Sequence, residues 1–184
     1  MTAQYFIDTN VLLYAGSGAN EDQAKKAVAR QVLAQADIGF SAQVMQEFYY
    51  AAVRKERLKI THDEAVLILE ALNPFPVLPV SRELVLEAVE LTVRYKVSYW
   101  DAAIIAAARR LGCDILYSED LSHGQDYDGV KVVNPFRRCF CLTLLPRPIN
   151  HPILHHKNNL LHRMNIFQRI ARDGDDVGPL AGRQ

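Results

Sequence analysis

Hydrophobic and polar positions alternate along the first 136 residues in a strand-then-helix rhythm. Residues 4–7 (QYFI) make a short apolar strand, but the longer run "YFIDTNVLLY" (5–14) carries Asp8 in its middle. Burying an unpaired carboxylate costs several kcal/mol, roughly, even after relaxation. Asp8 therefore either ends the strand and caps a turn, or awaits a cation. Asn20 followed by Gln23 resembles a capping box, and Ala24, Ala27, Val28, Val32 and Ala36 then share a helical face. "DIGFSA" (37–42) reads as a second strand leading into the helix "QVMQEFYYAAVRKE". Thr61 and Glu64 make another capping box before "AVLILEAL", and "FPVLPV" (75–80) is a third strand. Ser81 caps a helix reaching about Tyr95. Ser98 precedes "YWDAAIIAAARRLG", an Ala-rich helix that Gly112 terminates. "DILYSED" and "VKVVNPF" supply a fourth and a fifth strand. Strands separated by helices of this length predict an α/β fold with a central parallel sheet.

Composition bounds the rest. A chain of 184 residues, 49% hydrophobic and 23% charged, reads as globular, with no apolar run near the roughly 18 residues that span a bilayer. The N-terminus lacks a basic leader, so a cytoplasmic protein without membrane association is expected. Three cysteines without a CxxC argue against a disulfide framework. The net charge of zero divides unevenly. Residues 1–136 hold 13 Lys/Arg against 18 Asp/Glu (net −5), whereas residues 137–184 hold 8 against 3 (net +5) and four of the six histidines. An acidic body counts against a simple nucleic-acid-binding module.

In open parallel sheets, sites lie beyond the carboxyl ends of the strands. Asp8 follows strand one and Asp120 follows "ILYS". Glu47 lies a turn or two into the helix after strand two, and Asp101 lies in the first turn of the helix after Ser98. Four carboxylates from distant segments can thus meet at one end of the sheet. Clustered carboxylates repel, and a hard cation such as Mg²⁺ resolves the repulsion. Such an ion suits phosphodiester hydrolysis, by polarising a phosphoryl oxygen and acidifying water. Singly, each acid has an ordinary role: an Asx turn for Asp8, a capping-box partner of Ser98 for Asp101, a solvated helix position for Glu47, a loop acid for Asp120. Their common end of the sheet favours the cluster.

"FIDTNVLLYA", "SAQVMQEFYYAAVRK", "SYWDAAIIAAARRLGCDILYSEDLSHGQ" and "GVKVVNPF" together resemble the PIN domain, and within it the VapC-type toxins of bacterial toxin–antitoxin pairs. The resemblance runs in order over residues 1–136. It implies a three-layer α/β/α fold and an acidic quartet, Asp8, Glu47, Asp101 and Asp120, that binds Mg²⁺ or Mn²⁺. Asn10 and Ser118 match its supporting polar positions. It further implies a ribonuclease, often a homodimer, silenced by a cognate antitoxin protein. The expected function is a metal-dependent endoribonuclease toxin; the alternatives are a housekeeping RNA-processing nuclease and a catalytically silent PIN-like binding module. Whether Glu119 or Asp120 faces the metal stays open, with Asp120 matching the pattern.

Other residues receive plainer readings. Arg54, Lys55, Arg57 and Lys59 read as a helix C-terminus complementing the macrodipole, with contact to RNA phosphates the minority alternative. Trp100 reads as packed core or dimer surface rather than a base-stacking platform, His123 as a loop hydrogen-bonder rather than a general acid, and Asp126 and Asp128 as loop acids. Residues 137–184 depart from the family pattern and are expected to be a basic, mostly irregular extension of frameshift or read-through origin. Residues 157–172 can make a basic amphipathic helix. Cys139, Cys141, His151 and His155 match no zinc spacing, and Pro152 breaks any helix joining the histidines.

Overall fold

A computed structural model of the chain describes residues 2–137. Expectations for residues 138–184 (the irregular extension, the helix over 157–172, the zinc reading) lie outside the described residues. The strands are β1 (Tyr5–Ile7), β2 (Ile38–Ser41), β3 (Val77–Leu78), β4 (Ile115–Tyr117), β5 (Asp126–Tyr127) and β6 (Val130–Val133). They form one sheet in the order β3-β2-β1-β4-β6-β5. Five strands are parallel, in a register that places Phe6 opposite Gly39 and Leu116, and Leu116 opposite Val132. The antiparallel edge strand β5 pairs only with β6. The sheet is therefore mostly parallel rather than wholly so.

Burial explains the parallel centre. Every residue of β1 and β2 is buried, as a sheet covered on both faces by helices requires. The helices are α1 (Thr9–Gly16), α2 (Gln23–Leu33), α3 (Ala42–Arg54), α4 (His62–Ala71), α5 (Arg82–Tyr95) and α6 (Tyr99–Arg110). In one group α1 packs on α2 and α3, and α3 on α4. In the other α5 packs on α6, which lies against β2, β4 and β6. Gly39 allows a close approach in β2: a Cβ there would stand 2.9 Å from the Ala3 Cβ and 3.1 Å from a Leu111 methyl. Gly112, at φ 71°, ends α6 in a Schellman turn in which the Cys113 amide donates to the Ala108 carbonyl at 3.0 Å.

Three local expectations need correction or completion. The run after Asp8, to which the pattern assigned no element, becomes α1, whose Val11, Leu12 and Ala15 are fully buried. The Asn20–Gln23 capping box does not form. Residues Asn20–Asp22 make a 3₁₀ turn, and α2 begins without a side-chain cap, because the Asp22 carboxylate is engaged instead by the Ser17 hydroxyl and by Arg57. Asp126 belongs to strand β5 rather than to a loop, while Asp128 is a loop acid in the turn of the β5–β6 hairpin. Asp128 (φ 54°) and Gly129 (φ 95°) take the two left-handed positions of a tight turn, and the Asp126 carboxylate accepts from the Gly129 amide. Asp128 is also held by both Nη groups of Arg94 at 2.8 Å.

Candidate active site

Asp8 stands where β1 passes into α1, and its backbone is fixed from both sides. Its amide donates to the Tyr117 carbonyl of β4, and its own carbonyl accepts from Val11. It is the N-cap of α1. The carboxylate is buried, 5% exposed, and three donors converge on it. Oδ1 accepts from the Thr9 amide at 2.6 Å; Oδ2 accepts from Asn10 Nδ2 at 2.8 Å and from Ser118 Oγ at 2.6 Å. Capping and clustering are thus both true of this one residue.

Burial raises the Asp8 pKa from 3.8 to about 7. The Ser118 and Thr9 hydrogen bonds oppose the rise, while the charges of Asp120 and Glu47 add to it. Ser118 is fully buried at the end of β4. Besides donating to Asp8, its hydroxyl accepts from the amides of Asp120 (3.1 Å) and Leu121 (3.4 Å), which fixes the turn carrying Asp120.

The other acids arrive from three elements. Asp120 Oδ2 accepts from Asn10 Nδ2 at 3.2 Å, so one amide nitrogen spans the carboxylates of Asp8 and Asp120. Glu47 is on α3, which Ser41 starts by capping the Val44 amide immediately after β2. Its Oε2 accepts from Thr9 Oγ1 at 3.0 Å and its Oε1 from Gln43 Nε2 at 2.8 Å. Asp101 lies in the first turn of α6. Ser98 Oγ accepts from the Asp101 amide and donates to its carboxylate at 2.7 Å. All four acids line one cleft of about 610 Å³.

Glu119 lines the same cleft but is directed to a different partner. Its Oε1 accepts from Lys25 Nζ, which also donates to Tyr14 Oη at 2.8 Å. Asp120 is the neighbour that shares Asn10 with Asp8. Of the basic run, Arg54, Lys55 and Arg57 line the cleft; only Arg54 belongs to the last turn of α3. Trp100 is not core: its side chain is 62% exposed at the cleft. His123 is a loop hydrogen-bonder, its Nδ1 accepting from the Asn134 amide.

Sequence reasoning missed Thr9 and Gln43, which hold Glu47. Gln43 precedes Glu47 by four on one helix, a spacing that places the two side chains together and could have signalled the pair.

Among the described residues, no group of three or more His, Cys, Asp or Glu side chains is assembled to hold an ion. The hydrogen bonds explain this: Asn10 spans Asp8 and Asp120, while Glu47 and Asp101 are drawn to Thr9, Gln43 and Ser98. Mg²⁺ needs fewer protein ligands than that, commonly one or two carboxylates with waters and substrate phosphate. Asp8, Glu47, Asp101 and Asp120 offer hard carboxylate oxygens to the one cleft, and the buried Asn10 Oδ1 has no hydrogen-bond partner. That donor set fits a hard divalent cation.

Residues 5–124 match the sequence model of the PIN domain. The chain belongs to the PIN domain family. Nucleases of this family generally use divalent metal ions. No curated protein sequence matches the chain. Among solved structures it is similar to Mycobacterium tuberculosis VapC20, described as a Sarcin-Ricin loop cleaving toxin, at 25% identity and a TM-score of 0.51, over 63% of this chain and 89% of that one. A toxin–antitoxin complex from Klebsiella pneumoniae shares the fold at 22% identity and a TM-score of 0.54, over 72% of this chain and 98% of that one. A DNA-bound VapBC from Salmonella typhimurium does so at 16% and 0.50, over 72% and 97%. No helix among the described residues is long and apolar enough to cross a membrane.

Proposed function

We propose that this PIN domain is a metal-dependent endoribonuclease acting in the cytoplasm as the toxin of a toxin–antitoxin pair. The observation that carries the reading is Asp8: a buried carboxylate with three donors, raised to about pKa 7, with Asp120 joined to it through Asn10. The similarity to VapC20 at 25% identity supports the toxin role and RNA as substrate. The Klebsiella and Salmonella complexes support the fold, and an antitoxin protein and a second copy of the chain are part of the proposal.

Asp8 and Asp120 are the proposed ligands of Mg²⁺ or Mn²⁺, with Glu47 and Asp101 completing the acidic wall. When bound, the ion polarises a phosphoryl oxygen and lowers the pKa of water. The chain's own part is positional. Ser118 and the Thr9 amide orient the Asp8 carboxylate, Asn10 sets its spacing from Asp120, and Gln43 and Thr9 hold Glu47. Hydrolysis by water leaves a 5′ phosphate and a 3′ hydroxyl and does not use the ribose 2′-OH as nucleophile.

Purified protein should cut RNA internally in Mg²⁺ or Mn²⁺, stop in EDTA, and leave 5′ phosphates. Growth arrest on expression, relieved by co-expressing an adjacent small gene, would support the toxin role over RNA processing. Products ending in 2′,3′-cyclic phosphate, or cleavage indifferent to chelator, overturn the chemistry.

A further inference from the structure

The lining of the cleft also carries basic and aromatic residues, although the acids dominate the body's net charge. Tyr50, Arg54, Lys55 and Arg57 line it together with Trp100. Arg57 is anchored. Its Nη1 donates to Asp22 Oδ2 at 3.2 Å, and Asp22 is buried and also accepts from Ser17 Oγ at 2.7 Å. The turn carrying Arg57 is pinned by the Gly18 amide donating to the Leu58 carbonyl at 2.7 Å. Half of the Arg57 side chain is exposed, and a guanidinium has five N–H donors, so most stay available to a ligand. Arg54 lies over the Tyr50 ring, 4.8 Å from its centroid.

Trp100 is held equally firmly and is equally open. Gln43, the residue that fixes Glu47, also donates to the Trp100 carbonyl at 3.2 Å. The indole meets Tyr99 nearly perpendicularly, with centroids 5.3 Å apart, and remains 62% exposed. A large aromatic held out in solvent beside a carboxylate-lined cleft is an offered surface rather than a core residue. Cations that match phosphate, together with an open aromatic face, are the two elements that bind single strands.

We infer that the cleft seats an unpaired RNA strand, with a base stacked on Trp100 and backbone phosphates on Arg57 and Arg54. RNA as the strand rests on the nuclease reading; the stacking and phosphate subsites rest on the cleft itself. A base held on Trp100, next to Asp101, sets which phosphate reaches Asp8 and Asp120. Trp100 is then a specificity-determining residue, and Asp22 a positioning residue acting through Arg57. A base-paired strand cannot offer a free face to the indole, so duplex RNA is excluded from this mode.

Trp100 is the only tryptophan of the chain, so intrinsic fluorescence reports this subsite alone. The test titrates a short single-stranded oligoribonucleotide, and the same strand annealed to its complement, into the full chain in EDTA. The single strand should quench Trp100 saturably and the duplex should not. By anisotropy of labelled RNA, Trp100→Ala should bind about tenfold or more weakly, as loss of one stacked base implies, and Trp100→Phe should recover most of it. Arg57→Gln should lower the salt slope of binding by about one. An unquenched indole, or equal RNA affinity in Trp100→Ala, overturns the inference. So does a Trp100→Ala variant that changes self-association while binding RNA normally, which would make the indole a protein contact. Working in EDTA separates this from the nuclease reading. A chain that binds in this way yet never cleaves keeps the subsites and loses the activity; one that cleaves with a silent Trp100 does the reverse.

Discussion

In the proposed function Asp8 carries the chemistry: the fold buries it and then supplies donors that fall short of full compensation. The Ser118 hydroxyl, the Thr9 amide and the Asn10 amide lower the cost of the charge, while burial and the neighbouring Asp120 and Glu47 keep the pKa near 7. The folded carboxyl therefore holds its proton up to about pH 7, whereas the unfolded one releases it near 3.8. In metal-free protein, the stability Asp8 contributes is fully present in acid and is lost as pH rises from about 4 through about 7. The loss is of order 4 kcal/mol at most. Asp8→Asn should flatten that dependence, because a neutral amide can occupy the site once the Asn10 amide turns its oxygen inward. Urea unfolding in chelator at several pH values checks this. A wild-type profile that stays flat, or rises, between pH 4 and 7 would show that Asp8 is not the strained group.

At the level of elements, Ser98 and Asp101 separate a helix cap from a part in the acidic wall of the cleft. The cap of α6 is the Ser98 hydroxyl on the Asp101 amide, a backbone contact that survives any change of the Asp101 carboxylate. Ser98→Ala should cost about 0.5–2 kcal/mol in thermal or urea unfolding. Asp101→Asn should cost no more than about 0.3–1 kcal/mol, the loss of its interaction with the helix dipole, yet should abolish RNA cleavage. An active Asp101→Asn variant would reduce that residue to a cap partner. The elements also show where sequence was readable. The Ser81, Ser98 and Thr61–Glu64 caps are legible because their hydrogen bonds are local. Helix α1 was hidden because its eight residues are rich in Val, Leu and Tyr and follow a strand without a break. The Asn20 cap failed because Asn20 opens a 3₁₀ turn and the Gln23 side chain donates to the Ala19 carbonyl instead. The β5–β6 hairpin was announced by Asp128-Gly129, a turn signal overlooked because β5 is only two residues long.

Across the whole molecule, the described residues 2–137 hold six strands, six α-helices and the four acids. Phe136 closes this body by packing edge-on against Tyr14, with ring centroids 4.9 Å apart. A chain ending after Arg137 should unfold cooperatively, near the temperature of the full chain by circular dichroism, and retain the RNA cleavage proposed for the full chain. Loss of the cooperative transition would show that residues 138–184 complete the core. The parallel centre was legible because buried strands alternate with helices along the hydrophobic pattern, whereas the order of the strands in the sheet was not. Nor was the partition of the acids. That Asp120 joins Asp8 through Asn10 while Glu119 turns to Lys25 depends on side-chain directions after β4, which no periodicity encodes. If Asp8 anchors a divalent-cation site, a thermal melt with and without Mn²⁺ reveals it. An ion bound only by the folded state stabilises by RT ln(1 + [L]/Kd). The wild type should therefore melt higher as Mn²⁺ is raised through its Kd, and Asp8→Asn should melt at the same temperature with or without the ion. Equal Mn²⁺-induced shifts in the two proteins would contradict that role of Asp8.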